Sequence, residues 1–316
     1  MSLKLHGAIT ALVTPFRNGR VDEAALKRLV DFQIEHGATG LVPCGSTGES
    51  ATLSHDEHDR VIELVIEAAG ARIPVIAGTG SNNTQEAIRL TRHAKDAGAS
   101  AALIISPYYN KPTQRGLYLH FKAIADAVDI PIVLYNIASR TAVNIEPETI
   151  AQLVADCPTI IAVKESSGNL EQMSRILQLT KRRVTLLSGD DSLTLPVLSI
   201  GGTGVISVVS NLVPRDVAAM VSAYERGDRK AAIEWHDRLL PLIRAMFIET
   251  NPAPVKTAMG LLGMIDPELR LPLCAMSDAN QQRLRDELDA YGLFAKGKAR
   301  AQRPPARSGR RVARNG

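Results

Sequence analysis

The run TIIAVK puts a lysine, Lys164, at the end of an apolar stretch where an ammonium has no ready outlet to water. Burying that charge is costly unless it is paired, so the residue either pairs with neighbouring Glu165 or sits there as a neutral amine. A neutral amine is a nucleophile: it attacks the ketone of a 2-keto acid to give an imine, whose protonated form turns the adjacent carbon into an enamine nucleophile. Tyr135 closes a second apolar run, IPIVLY. Its phenol can shuttle protons if nearby hydroxyls ease its ionisation, and Thr47 and Tyr109 are candidates to supply them. Taken alone, Tyr135 reads more often as a strand-end aromatic with its hydroxyl in water.

The turn GSTGE, Gly45–Glu49, sets two glycines around Ser46 and Thr47 just before a helix. Such a turn can aim backbone N–H groups and hydroxyls at a carboxylate, or it can simply redirect the chain. Arg140 can grip a second carboxylate through two parallel hydrogen bonds, with a surface salt bridge as the alternative. The cluster HDEH, His55–His58, lacks the H-E-x-x-H spacing of a zinc site. It falls on the first turn of a helix, where acids favour the dipole, so a catalytic metal is not expected.

These residues need a scaffold, and the apolar pattern supplies one. Strands are read at Ala8–Val13, Gly40–Pro43, Pro74–Ala77, Ala102–Ser106, Ile132–Tyr135, Ile160–Lys164, Thr185–Ser188 and Gly204–Ser207. Amphipathic segments lie between them, among them Glu23–Glu35, Asp56–Ala69, Thr84–Asp96 and Pro214–Glu225. Ser54 and Glu57 form a capping-box signature at the start of one. Near-continuous Val/Ile/Leu strands are buried on both faces, as parallel strands are, and each parallel return needs a crossover helix. Eight such units predict an α/β fold of the (β/α)₈ TIM-barrel type rather than an open dinucleotide-binding sheet, for which no G-x-G-x-x-G is found. Barrel enzymes carry their chemistry at the C-terminal strand ends. Those ends hold Thr10 and Thr14, Gly45–Glu49, Tyr108 and Tyr109, Tyr135 and Arg140, Lys164, and Gly189–Asp191.

Helical patterns at Arg229–Phe247, Pro254–Leu262 and Ser277–Tyr291 predict a small C-terminal helical appendage. The expected organisation is a catalytic barrel over 1–225, a helical layer over 226–295 and a basic, disordered tail over 296–316. The tail carries eight of the 37 Lys/Arg and no acid, leaving residues 1–295 with 29 basic against 33 acidic residues. The body is thus mildly acidic and no nucleic-acid partner is expected, except through the tail. With 45% hydrophobic residues the chain can build a sizeable core. No signal peptide or membrane span is expected, and three widely spaced cysteines, Cys44, Cys157 and Cys274, read as free thiols of a cytoplasmic protein.

The motifs GSTGESATLSHDEH, AGTGSNNTQEAI, SPYYNKPTQ, LYNIASRT, AVKESSGN, LSGDD, GVISV and NPAPVK follow one another across roughly Gly7–Leu293. Together they resemble the dihydrodipicolinate synthase, or 4-hydroxy-tetrahydrodipicolinate synthase, family of pyruvate-dependent aldolases, to whose superfamily N-acetylneuraminate lyase belongs. The resemblance implies a pyruvate Schiff base on Lys164 and a proton relay of Tyr135, Thr47 and Tyr109, the last reaching in from a neighbouring subunit of a homotetramer, a dimer of dimers. It implies that Ser46 and Thr47 receive the pyruvate carboxylate, that Gly189 and Ile206 line the site, and that Arg140 holds the carboxylate of L-aspartate 4-semialdehyde. No metal or organic cofactor is implied. It further implies an L-lysine feedback pocket of Ser50, Ala51, His55, His58, Asn82, Glu86 and Tyr108.

Three positions depart from the family's usual pattern. Ser46 stands for a threonine, as in the lyases, Ala138 for a proline and Ala142 for a glycine. They bear on substrate choice, not on the imine. The alternatives are therefore a related aldolase or dehydratase acting on a sugar acid or another 2-keto acid, and a non-catalytic barrel.

Overall fold

In the computed structural model, residues 3–294 are described. The predicted basic tail at 296–316 lies outside them. Ten strands form: β1 (Gly7–Ala11), β2 (Phe16–Arg17), β3 (Arg20–Val21), β4 (Gly40–Val42), β5 (Ile76–Gly78), β6 (Ala101–Ile105), β7 (Ile132–Asn136), β8 (Ile160–Glu165), β9 (Thr185–Ser188) and β10 (Gly204–Ser207). Eight of them pair in parallel in the order β4-β1-β10-β9-β8-β7-β6-β5. A bridge between Leu41 and Val75, with Leu41 N–H donating to Pro74 O at 3.0 Å and Gly78 N–H to Pro43 O at 2.9 Å, closes β4 onto β5. The expected eight-stranded barrel is present, and each predicted strand overlaps an observed one. The sequence reading missed the antiparallel β2–β3 hairpin, whose strands are too short to carry a pattern.

Among the described residues twelve α-helices occur in chain order: α1 (Glu23–Glu35), α2 (His55–Ala69), α3 (Thr84–Asp96), α4 (Gln114–Ala127), α5 (Ala138–Thr141), α6 (Pro147–Asp156), α7 (Leu170–Leu179), α8 (Thr194–Ser199), α9 (Pro214–Glu225), α10 (Arg229–Ala245), α11 (Ala253–Leu261) and α12 (Asp278–Tyr291). The capping box forms at α2: Ser54 Oγ accepts from Glu57 N–H and Glu57 accepts from Ser54 N–H, an arrangement worth about 1 kcal/mol. The last three helices share one apolar core with the barrel. Leu239, Leu242, Met259, Leu284 and Leu288 cluster with Leu12, Leu29 and Val217.

Side chains alternate across each strand, so every barrel strand has an inner and an outer face. Ile9, Val42, Ile76, Leu103, Val133, Ala162, Leu187 and Ile206 fill the barrel interior. Their neighbours, such as Ala102, Ile104, Leu134 and Val163, meet the helices. Both faces are apolar, which explains the unbroken runs in the sequence. Among the described residues no helix is long and apolar enough to cross a membrane. All three cysteines are free, Cys44 and Cys157 buried and Cys274 exposed.

The β4–β5 closure allows no side chain at Gly78, where a Cβ would lie 2.2 Å from Cys44 O and 3.0 Å from Gly45 N. Gly78→Ala is expected to cost about 1–3 kcal/mol through overpacking against backbone, read as a lower denaturant midpoint. An unchanged midpoint would show that the seam can open without penalty.

Candidate active site

The inner-face alternation carries directly to the reactive pair. Val133 and Ala162 point into the barrel, so two residues later Tyr135 and Lys164 do too. The strands pair Tyr135 with Lys164 and Asn136 with Glu165. Both reactive residues are buried, and Lys164 Nζ lies 4.0 Å from the Tyr135 ring centroid. Tyr135 is therefore no solvent-facing strand end.

Glu165 occupies the opposite face and is not Lys164's partner. Its carboxylate accepts from Asn136 Nδ2 at 3.0 and 3.3 Å, from Ser167 N–H at 2.7 Å and from Gln172 Nε2 at 3.3 Å. Burial pushes its pKa up and those hydrogen bonds pull against it. The β7 and β8 ends are thus tied together on the outside while the reactive pair faces inward.

The charges near Lys164 come instead from the loop after β9. Burial pushes Asp190 up to about 6, against the pull of the Lys164 charge. Asp191, more deeply buried and also raised, is held by Val208 N–H at 2.9 Å and Val209 N–H at 3.2 Å. Gly189 N–H donates to Glu165 O at 2.8 Å. A Cβ on Gly189 would lie 1.7 Å from Ser166 Oγ, so no other residue fits unless that serine moves.

In the GSTGE turn, Gly48 N–H returns to Gly45 O at 3.0 Å and Thr14 Oγ1 donates to Gly48 O at 2.7 Å. Thr10, by contrast, donates to Gln33 Oε1 at 2.6 Å and takes no part in the turn. Buried Thr47 accepts from Asn251 Nδ2 at 3.0 Å, a partner the sequence reading did not single out. This bond fills an acceptor position on the Thr47 oxygen and leaves its own O–H available to donate. Arg140, on α5, donates to Asn251 O at 3.1 Å, so one residue touches both the hydroxyl turn and the guanidinium.

A cavity of about 500 Å³ opens here, walled by Ser46, Tyr135, Arg140 and Asn251 on one side. The same cavity is walled by Ser50, Ala51, His55, His58, Glu86 and Tyr108. Lys164, Thr47, Gly189, Ile206 and Asn82 are not among its walls, although Lys164 lies against Tyr135 and Thr47 against Asn251, which are. Ile206 is fully buried in the barrel interior. His55 Nε2 lies 2.7 Å from Glu86 Oε1, and the Glu86 carboxyl is held below the usual range by Ser81 and by His55. Burial lowers the pKa of His58. Tyr109 stands apart: it is 89% exposed, with φ +72°, and lies outside the cavity of its own chain.

Comparison with known proteins places this geometry. The profile of the Dihydrodipicolinate synthetase family matches residues 4–291. The 4-hydroxy-tetrahydrodipicolinate synthase of Nitratidesulfovibrio vulgaris (strain DP4) is 58% identical over 292 residues, covering 92% of this chain and all of that one. That of Syntrophus aciditrophicus (strain SB) is 56% identical over 288 residues, 91% of this chain and 99% of the relative. The chain belongs to the dihydrodipicolinate synthetase family. Among solved structures, dihydrodipicolinate synthase from Aquifex aeolicus superposes with a TM-score of 0.90 at 50% identity, over 92% of this chain and 99% of that one. The enzyme from Cyanidioschyzon merolae, solved with lysine bound, gives 0.88 at 43% identity over 92% and 99%.

Within this dihydrodipicolinate synthetase family member, two of the unusual positions fall at the two ends of α5. Ala142 terminates α5 at φ +57°, the left-handed region where glycine is at ease and alanine is strained. Ala138 opens the same four-residue helix, a place that suits proline. The helix carrying Arg140 is therefore built without either of its favoured terminal residues.

Asp190 offers a test of the electrostatics. Its folded pKa is above its unfolded value, so its contribution to stability is full below about pH 4 and is lost as pH rises through about 6. Relative to Asp190→Asn, the wild type is expected to lose on the order of 2 kcal/mol between pH 4 and pH 7.5 in denaturant titrations. Parallel stability curves for the two proteins would place Asp190 in water instead.

Proposed function

We propose that the chain is a Schiff-base 4-hydroxy-tetrahydrodipicolinate synthase, a lyase acting at the first committed step of diaminopimelate and lysine biosynthesis. The observation that carries this reading is the buried Lys164–Tyr135 pair, Nζ 4.0 Å from the ring, in a chain 58% identical to an enzyme of that name. The Lys164 amine adds to C2 of pyruvate, and loss of water gives the protonated imine. Removal of a C3 proton leaves an enamine, which attacks the aldehyde carbon of L-aspartate 4-semialdehyde. The semialdehyde's own amine then attacks the imine carbon, freeing Lys164 and closing the ring as 4-hydroxy-tetrahydrodipicolinate.

Tyr135 and Thr47 move the protons these steps require, and Ser46 and Thr47 receive the pyruvate carboxylate. Arg140, braced on Asn251 O, receives the semialdehyde carboxylate. Gly189 and Ile206 complete the lining of the site. The exposure of Tyr109 fits its delivery into a second copy of the chain, within a homotetramer in the cytoplasm. The neighbouring carboxylates Asp190 and Asp191 favour the positive charge of the protonated imine.

Borohydride reduction with pyruvate is expected to leave a pyruvyl adduct on Lys164, mapped by peptide mass, and Lys164→Ala is expected to carry none. Tyr135→Phe should lower kcat by about 10²–10⁴-fold, the usual contribution of general acid–base catalysis. An adduct elsewhere in the chain would overturn the mechanism. Ser46, a cavity wall, favours a second reading in which a sugar acid is the substrate. Turnover of N-acetylneuraminate or 2-keto-3-deoxygluconate in preference to pyruvate with the semialdehyde would select it.

The part of the cavity formed by Ser50, Ala51, His55, His58, Glu86 and Tyr108, with Asn82 nearby, has the carboxylate and hydroxyl groups to hold an amino acid such as L-lysine. Asn82 O accepts from Asn110 Nδ2 at 2.9 Å, tying this edge to the loop that carries Tyr109. Millimolar L-lysine is expected to lower initial rates, and Glu86→Gln to blunt the effect. Rates indifferent to L-lysine would remove the feedback reading while leaving the catalytic one intact.

A further inference from the structure

Behind the hydroxyl turn lies a second buried lysine that the reaction does not use. Lys256, on α11, is fully buried, and its Nζ lies 2.6 Å from Glu49 Oε1, with neither side chain reaching solvent. Glu49 Oε2 accepts from the backbone N–H of Arg270 at 3.2 Å. The Phe16 ring packs against both cations, its centroid 4.2 Å from Lys256 Nζ and 4.3 Å from Arg270 Cζ. Arg270 grips Glu57 at the start of α2 with two bonds of 2.6 Å, and reaches Thr52 O and Gly19 O at 3.1 and 2.7 Å. The β2–β3 hairpin, the turn, α2 and the C-terminal layer are therefore tied together through Arg270 and the Lys256–Glu49 pair.

A fully enclosed ion pair is a poor source of stability, because desolvating two charges cancels much of their attraction and apolar isosteres commonly do as well. Its geometry offers another role. Glu49 adopts φ +52°, a left-handed conformation that a non-glycine residue keeps only when its surroundings enforce it. It ends the turn two residues after Thr47, and its N–H returns to Ser46 O at 3.2 Å. The segment from Asn251 to Lys256 thus holds the turn twice, by Asn251 on the Thr47 hydroxyl and by Lys256 on the Glu49 carboxylate.

We propose that Glu49 and Lys256 are positioning residues for the reaction: their ion pair locks the Gly45–Glu49 turn so that the Thr47 hydroxyl stays in place for proton transfer, and although Glu49 lines the cavity, both side chains are enclosed away from it and neither touches substrate. The inference rests on the relay reading of Thr47. Single removals such as Lys256→Met leave a buried charge without its partner and are expected to unfold too readily to be informative. The double variant Glu49→Gln/Lys256→Met removes both charges at similar volume. It should melt near the wild type yet lose about 10–10²-fold in kcat, the range in which small misplacements of a catalytic group fall, with KM for pyruvate little changed.

Glu49→Asp, which keeps the charge but draws it back from Lys256, should show the same kcat-selective loss and covers the case in which the double variant does not fold. The decisive arm adds Thr47→Val. Because the pair acts through Thr47, the triple variant should be no slower than Thr47→Val alone. If the losses multiply, or if the double variant or Glu49→Asp turns over at the wild-type rate while Thr47→Val is impaired, the inference fails and the relay stands. If Thr47→Val itself keeps full turnover, the relay reading fails and takes the inference with it.

Discussion

The parallel register of β7 against β8 is the constraint from which the site follows. Pairing Tyr135 with Lys164 also pairs Asn136 with Glu165, and the two-residue period sends these pairs to opposite faces. A slip of β8 by one residue would turn Lys164 out toward the helices and Glu165 into the barrel, parting each from its partner on β7. The outer pair works against such a slip: Asn136 and Glu165 bond each other, and Asn144 and Gln172 extend that network into the adjoining loop and helix. Polar groups buried on the outer face thus maintain the geometry of those on the inner one.

The surroundings of Lys164 divide the electrostatic work in a similar way. Glu165 is adjacent in sequence but spent on structural hydrogen bonds, whereas Asp190 and Asp191 reach the lysine from the next strand end. Burial raises all three carboxyls, and hydrogen bonds counter that rise at Glu165 and Asp191. At Asp190 the charge of Lys164 opposes the rise.

Local pattern was enough to read the barrel, the helices and the reactive ends. The runs bearing Tyr135 and Lys164 are apolar on both faces, and α1, α3 and α9 begin and end where their periodicity places them. What stayed hidden depends on contacts distant in sequence. Nothing local marks Asn251 as the partner of Thr47, and a lysine within PVKTAM reads as an ordinary helical cation until its carboxylate is found in the turn. The Asn-Pro step and the charge in an otherwise apolar helix were the available signals, and both are weak. The pairing of Lys164 with Glu165 failed for a simpler reason: consecutive strand residues face opposite ways.

The length of chain between those partners orders events during synthesis. β1 pairs with β10 through Gly7 and Gly204, so the barrel cannot close until the ribosome has released most of the chain. Thr47 waits longer, for a residue 204 positions later, and Glu49 for one 207 later. A nascent chain can thus complete the barrel wall while its hydroxyl turn is still unanchored, and these two bonds to the turn form only once α11 and the residues before it dock.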